Sequence, residues 1–141
     1  MIIRMAEMKD KEPGIELLKE HLKEFNFGQF ENDNTEYYNV LLENLIKDKT
    51  IIVAEEDGII NGVLIGARIP NLLNPHNIQL HILVSWVHKD KRGSSIFYRM
   101  NKYLEKNFTG MDIMFYQIPE TNINFDRLGY KKFQTMHIKE K

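Results

Sequence analysis

Residues Leu83 to Leu104 read LVSWVHKDKRGSSIFYRMNKYL, and this stretch decides the fold. Its first five residues close a longer β-favouring run, Gln79 to Val87, which is predicted to be the central strand. Its last nine place Ile96, Met100, Tyr103 and Leu104 at helical spacing, with Phe108 continuing the same face. Between strand and helix lies a short basic turn, His88 to Ser95, ending Gly93-Ser94-Ser95. A strand that enters a helix through small residues leaves main-chain N–H groups unpaired at the helix start, and the helix dipole adds positive potential there. Such a bend suits a phosphate, and His88, Lys89, Lys91 and Arg92 add to the attraction. A plain strand-to-helix connection with a solvated basic turn fits the same residues.

The remaining elements follow outward from that core. Upstream, Thr50 to Glu55 is β-branched and apolar, Asp57-Gly58 is a hairpin turn signal, and Ile60 to Ile69 is the next strand. Pro70 to Asn77, with two prolines and three asparagines, reads as a loop. Near the start, Ile2 to Glu7 is a short strand candidate. Pro13 stands near the head of a helix carrying Ile15, Leu18, Leu22 and Phe25. Asp33 and Glu36 resemble a capping box ahead of a second helix with Tyr38, Leu41, Leu42 and Leu45. Downstream, Met111 to Gln117 is a buried strand, Asn122 to Leu128 one or two helical turns closed by Gly129, and Tyr130 to Ile138 a last strand. The order β-α-α-β-β-β-α-β-α-β implies an α/β (α+β) fold, a mixed sheet with helices on both faces. Residues 1–141 read as a single domain.

Composition narrows the function. With 43% apolar residues the chain can bury a sizeable core, and a net charge of -1 argues against general attraction to nucleic acid or membrane. Residues 1–50 carry seven Lys/Arg against eleven Asp/Glu, and residues 51–141 carry twelve against nine. An acidic first third beside a basic remainder suits a cationic substrate and an anionic ligand, although chance asymmetry of a solvated surface does as well. There is no cysteine, which excludes disulfides, thiolate nucleophiles and Cys-based zinc sites. His76, His81 and His88 lack metal-ligand spacing, so no metal site is expected. Without a signal-peptide pattern or a membrane-length apolar run, the expectation is a cytoplasmic protein.

At the basic turn the sequence resembles the GNAT (GCN5-related) N-acetyltransferases. Their signature, Val-x-Pro-x-x-Arg-Gly-x-Gly-x-Gly/Ala, aligns with Val87-His88-Lys89-Asp90-Lys91-Arg92-Gly93-Ser94-Ser95-Ile96-Phe97, keeping Val87, Arg92 and Gly93 in register. A second similarity is Phe125-Asp126-Arg127-Leu128-Gly129-Tyr130, near the family's Tyr-x-x-Leu-Gly-Phe/Tyr. The resemblance implies that Arg92, Gly93, Ser94, Ser95, Ile96 and Phe97 hold the diphosphate of acetyl-CoA through main-chain amides. It also implies that Ser85, Trp86 and Val87 lie beside the pantetheine arm. Ser95 and Phe97 replace two family glycine positions, and Phe97 either crowds the coenzyme or turns into the core. Phe125 stands where the family often places the tyrosine that protonates the leaving thiolate, and a phenyl ring cannot donate a proton. Tyr116 and Tyr98 are the remaining phenols, each also readable as packing.

His81 lies six residues before Val87, the offset of a general base in family members. Imidazole, which exchanges protons near neutral pH, suits removal of an ammonium proton, directly or through water. A hydrogen-bonded core histidine is the competing reading. Gln79 shares the face of His81 by strand alternation and could orient substrate or water. Glu31, Asp33 and Glu36 fall where the family's acceptor cleft lies and could select a cationic amine, although helix capping explains Asp33 and Glu36 equally well. The leading expectation is an N-acetyltransferase using acetyl-CoA and a small amine or a protein or peptide amine, with room for a homodimer at exposed strand edges. The rival keeps the fold without turnover, as a binding or structural protein, a viral one included.

Overall fold

The computed structural model describes residues 1–24, 34–108, 113–116, 123–133 and 139. In chain order they form β1 (Ile2–Met5), α1 (Lys11–Glu24), α2 (Thr35–Lys47), β2 (Ile51–Glu56), β3 (Ile59–Asn71), β4 (Asn74–Val87), α3 (Ile96–Asn107) and β5 (Ile113–Tyr116). The strands make one sheet in the order β1-β2-β3-β4-β5, antiparallel from β1 to β4, with β5 parallel to β4. Two apolar layers sandwich it. Ile15, Leu18, Leu42 and Leu45 of α1 and α2 pack with Val53, Val63, Ile65, Val84 and Trp86. Ile96, Phe97, Met100 and Leu104 of α3 pack on the opposite face with Ile52, Leu64, Leu80 and Ile82. The amphipathic spacing of the three helices therefore buries one stripe of each against the sheet.

The β2–β3 turn takes positive φ at both Asp57 (52°) and Gly58 (79°), the backbone of a two-residue hairpin whose twist matches its strands. The expected loop over Pro70 to Asn77 is instead strand. β3 continues to Asn71 and β4 begins at Asn74, leaving only Leu72 and Leu73 at the tip. Pro70 fits because β2 pairs with β3 only as far as Ile65, so the missing N–H interrupts no ladder on that side. The Asn71 side chain accepts the Leu73 N–H at 2.9 Å and closes the tip.

Among the described residues β4, expected to be central, is the longest strand and lies between β3 and β5, with β3 in the middle of the five. Residues 130–133 are not strand, and 134–138 of the expected last strand lie outside the described residues. The expected helical turns before Gly129 are one 3-10 turn, Asp126–Leu128. Gly129 closes that turn at φ 86°, and Tyr130 N–H returns to Phe125 O at 3.0 Å. At α2, Asn34 precedes the helix without a side-chain cap, and Asp33 lies outside the described residues.

Two irregularities shape β3 and β4. In β3, Ala54 faces Gly62 and Glu55 faces Ile60, so Asn61 is an extra residue, and its carbonyl accepts the His88 N–H at 2.8 Å. In β4, Ile65 faces Val84 and Gly66 faces Ile82, so Leu83 is extra. Before Leu83 the even-numbered residues Leu80 and Ile82 face α3, and after it Val84 and Trp86 face α1 and α2.

Gly62 lets α3 approach the sheet. A Cβ there would lie 2.8 Å from Ile96 Cγ2 and 3.0 Å from Met100 Cε. Gly62→Val is expected to destabilise the fold by about 1–3 kcal/mol through overpacking. Urea unfolding checks this, and a midpoint equal to the parent's would show that α3 can yield without cost.

Candidate active site

The candidate site begins where β4 outruns its parallel neighbour. β5 pairs with Gln79 to Ile82, and Leu83 to Val87 have no β5 partner among the described residues. Ser85 and Val87 are half-buried on the α3 face, where Val87 packs against the core. Trp86 is buried on the other face, its ring 5.9 Å from that of His88, so only its main chain is turned toward the strand edge.

A 3-10 turn over Lys89–Lys91 follows, and then a β-turn over residues 91–94. Arg92 has φ -66° and ψ 142°, Gly93 has φ 83°, and Ser94 N–H reaches Lys91 O at 3.2 Å. This is a type II turn, whose third position favours glycine. A Cβ added at Gly93 would meet nothing within 4 Å, so the turn faces open space. α3 starts immediately after. Its cap residue Ser95 makes no side-chain capping bond, no acidic residue sits in the first turn, and Arg99 N–H is bonded to Ser95 O. The amides of Phe97 and Tyr98 precede that bond and have no intrahelical acceptor, while Ile96 N–H has a long 3.4 Å contact to Ser94 Oγ. These features fit an anion held by main-chain donors.

Two cations of the turn, both exposed, pair with carboxylates of the protein. Lys91 pairs with Glu56 at 3.5 Å, and Arg92 pairs with Glu24 of α1 while its Nε donates to Val87 O. His21, one turn before Glu24, is buried. Burial lowers its imidazole below the ordinary range, with Glu24 pulling it back up and Arg92 pushing it down.

Phe97 resolves the alternative posed by its bulk. It is only 4% exposed and packs into the α3 core, leaving its amide at the helix start. Its ring belongs to an aromatic cluster with Tyr116 at 5.8 Å and Phe125 at 5.9 Å, and Phe125 in turn lies 5.0 Å from Tyr116. Tyr116 is committed elsewhere. Its hydroxyl donates at 2.5 Å to Asn101, a side chain 1% exposed that also accepts from Tyr130 and donates to Glu105. Burial, with Tyr130 and Glu105 nearby, holds the Tyr116 phenol far above its usual range. Tyr98 is exposed on the first turn of α3.

His81 and Gln79 lie together on the α1/α2 face, opposite Ser85, Val87 and Tyr116, with His81 Nε2 3.0 Å from Gln79 Oε1. His81 faces Ala67 across β3 and is half-buried. Glu36 is exposed at the start of α2, and Glu31 and Asp33 lie outside the described residues. Sequence reading missed Glu24, Asn101 and the Leu83 bulge. Glu24 is 68 residues from Arg92, and no periodicity or motif links them.

No protein-family model and no curated relative matches the chain. Solved structures do match its shape. A predicted acetyltransferase from Clostridium acetobutylicum, solved with acetyl-CoA, superposes with a TM-score of 0.71 at 17% identity, over 98% of this chain and 95% of that one. An aminoglycoside acetyltransferase from an uncultured soil metagenomic sample, in complex with sisomicin, gives 0.72 at 17% identity, over 99% and 95%. A transcriptional regulator from Bacillus halodurans C-125 gives 0.72 at 19% identity, over 97% and 99%. The last shows that this shape also serves proteins named for other work. What the element order, the mixed sheet, the glycine turn and these superpositions agree on is that the chain carries the GNAT N-acetyltransferase fold.

Proposed function

We propose that the protein is an N-acetyltransferase that takes its acyl group from acetyl-CoA and delivers it to an amine. The observation that carries this reading is the uncapped start of α3 directly behind the open Gly93 turn, where the amides of Phe97 and Tyr98 have no intrahelical acceptor. Gly93, Ser94, Ser95, Ile96 and Phe97 would hold the diphosphate, with Arg92 supporting the turn, and Ser85, Trp86 and Val87 would flank the pantetheine arm through their backbone. Acetyl-CoA supplies an acyl group activated as a thioester. The chain's own contribution is placement. Free amides of β4 beyond Ile82 polarise the carbonyl. The coenzyme lies toward the α3 face and the amine approaches from the α1/α2 face, where His81 and Gln79 stand. His81 accepts the proton that the amine nitrogen sheds as its bond to the acyl carbon forms, and Gln79 fixes the ring. Holding both reactants in line supplies much of the rate. With Phe125 in the aromatic cluster and Tyr116 bonded to Asn101, the departing thiolate takes its proton from water.

At one hundred times its dissociation constant, CoA is expected to stabilise the protein by about 2.7 kcal/mol and to raise Tm by roughly 5–10 °C. No shift with CoA or acetyl-CoA would remove the reading. The lack of a phenol at position 125 favours a second one, a coenzyme-binding protein without turnover. Stabilisation by CoA together with no thiol release on any of a panel of small amines and peptides would select it.

A further inference from the structure

We propose that Glu24 is a positioning residue for the phosphate turn, acting through Arg92, an inference that rests on the acetyl-CoA reading above. Glu24 is the last residue of α1, and Arg92 is the first inner residue of the type II turn. One guanidinium joins three separate pieces of the fold. Its Nε donates to Val87 O at 3.0 Å, and its Nη2 donates to Glu24 Oε1 at 2.8 Å and Oε2 at 3.0 Å. The end of β4, the end of α1 and the turn are thereby tied together. The planar fork of an arginine fixes direction as well as distance, which the rotatable ammonium of a lysine does not.

The charge balance says why this tie concerns geometry. A turn serving only to collect positive charge would gain nothing from a carboxylate placed on its arginine. Here Glu24 neutralises Arg92, and Glu56 does the same to Lys91 from the β2 side. The turn is braced from two directions at the expense of net charge. That arrangement suits a site whose donors are main-chain N–H groups, because such donors act only when correctly aimed.

The test is calorimetric titration of CoA and of dephospho-CoA into the parent, Glu24→Gln, Arg92→Gln and the double variant. Glu24→Gln removes a negative charge near an anion, so electrostatics alone predicts tighter binding. The positioning role predicts the reverse, a loss of about fivefold for both ligands, because both carry the diphosphate. The double variant is expected to bind no worse than Arg92→Gln alone. Melting without ligand is expected to stay within about 2 °C of the parent, which separates aim from folding. Unchanged or tighter binding by Glu24→Gln, or additive losses in the double variant, would overturn the inference while leaving the acetyl-CoA reading intact. A parent that binds neither ligand would overturn both.

Discussion

His81→Gln is expected to lower the rate of acetyl transfer at saturating substrates about a hundredfold at neutral pH, while CoA affinity stays within about twofold of the parent. The asymmetry follows from the faces of β4. His81 and Gln79 look toward α1 and α2, whereas Ser85 and Val87 look toward α3, so the substitution leaves the coenzyme side untouched. Glutamine preserves the hydrogen-bonding reach toward Gln79 but cannot take up a proton near neutral pH. Steady-state rates with a panel of amines, paired with CoA titrations, check both halves. A kcat within about threefold of the parent would exclude the base role. Equal losses in rate and coenzyme affinity would instead make His81 a packing residue of the strand.

Arg4→Met is expected to cost about 2–4 kcal/mol at pH 7, somewhat less than breaking a fully buried ion pair from one side, because Arg4 and Glu55 keep part of their surface in water. Arg4 joins β1 to two acids. Its Nε donates to Glu55 at 2.9 Å, and Nη1 and Nη2 reach the two oxygens of Asp10 at 2.7 and 3.0 Å. Asp10 also accepts the Glu7 N–H at 2.7 Å, immediately ahead of α1. Burial would raise the Asp10 pKa, but the Arg4 and Glu7 hydrogen bonds and the Arg4 charge outweigh it and hold the carboxyl below its ordinary range. The sign of the pH effect follows. In the parent, the stability that Asp10 contributes is present above its unfolded pKa and is lost as pH falls through its lower folded value. In Arg4→Met the guanidinium no longer opposes burial, so the folded Asp10 pKa rises relative to the parent's and its carboxylate contributes less stability at neutral pH. The penalty relative to the parent should therefore shrink as pH falls from 7 through the carboxylate range, where the parent loses the Asp10 contribution, as read from urea midpoints. A penalty below about 1 kcal/mol would show that water already screens the pair.

Most of the frame was legible in the sequence because local rules govern it. The apolar spacing of Ile15 and Leu18, of Tyr38 and Leu42, and of Ile96, Met100 and Leu104 marks helix faces that are buried. Asp57-Gly58 and Gly129 take the positive φ that their types suggest. Pro70 misled, because whether a proline ends a strand depends on what lies beside it, and the end of β2 at that level is a tertiary fact. The site was legible in part. Arg92-Gly93 marked the turn, yet the direction of the Arg92 side chain depends on a carboxylate in another helix. Asn101 looks like any polar helix residue until Tyr116 and Tyr130 are brought against it.

The extra residue at Leu83 carries a lesson for how this strand can change over generations. Upstream of it, odd positions look toward α1 and α2, and downstream of it odd positions look toward α3. One strand therefore holds two alphabets in opposite phase, separated by a single spacer. Each can drift against its own layer of helices without editing the other, but deleting the spacer would turn every later letter inside out.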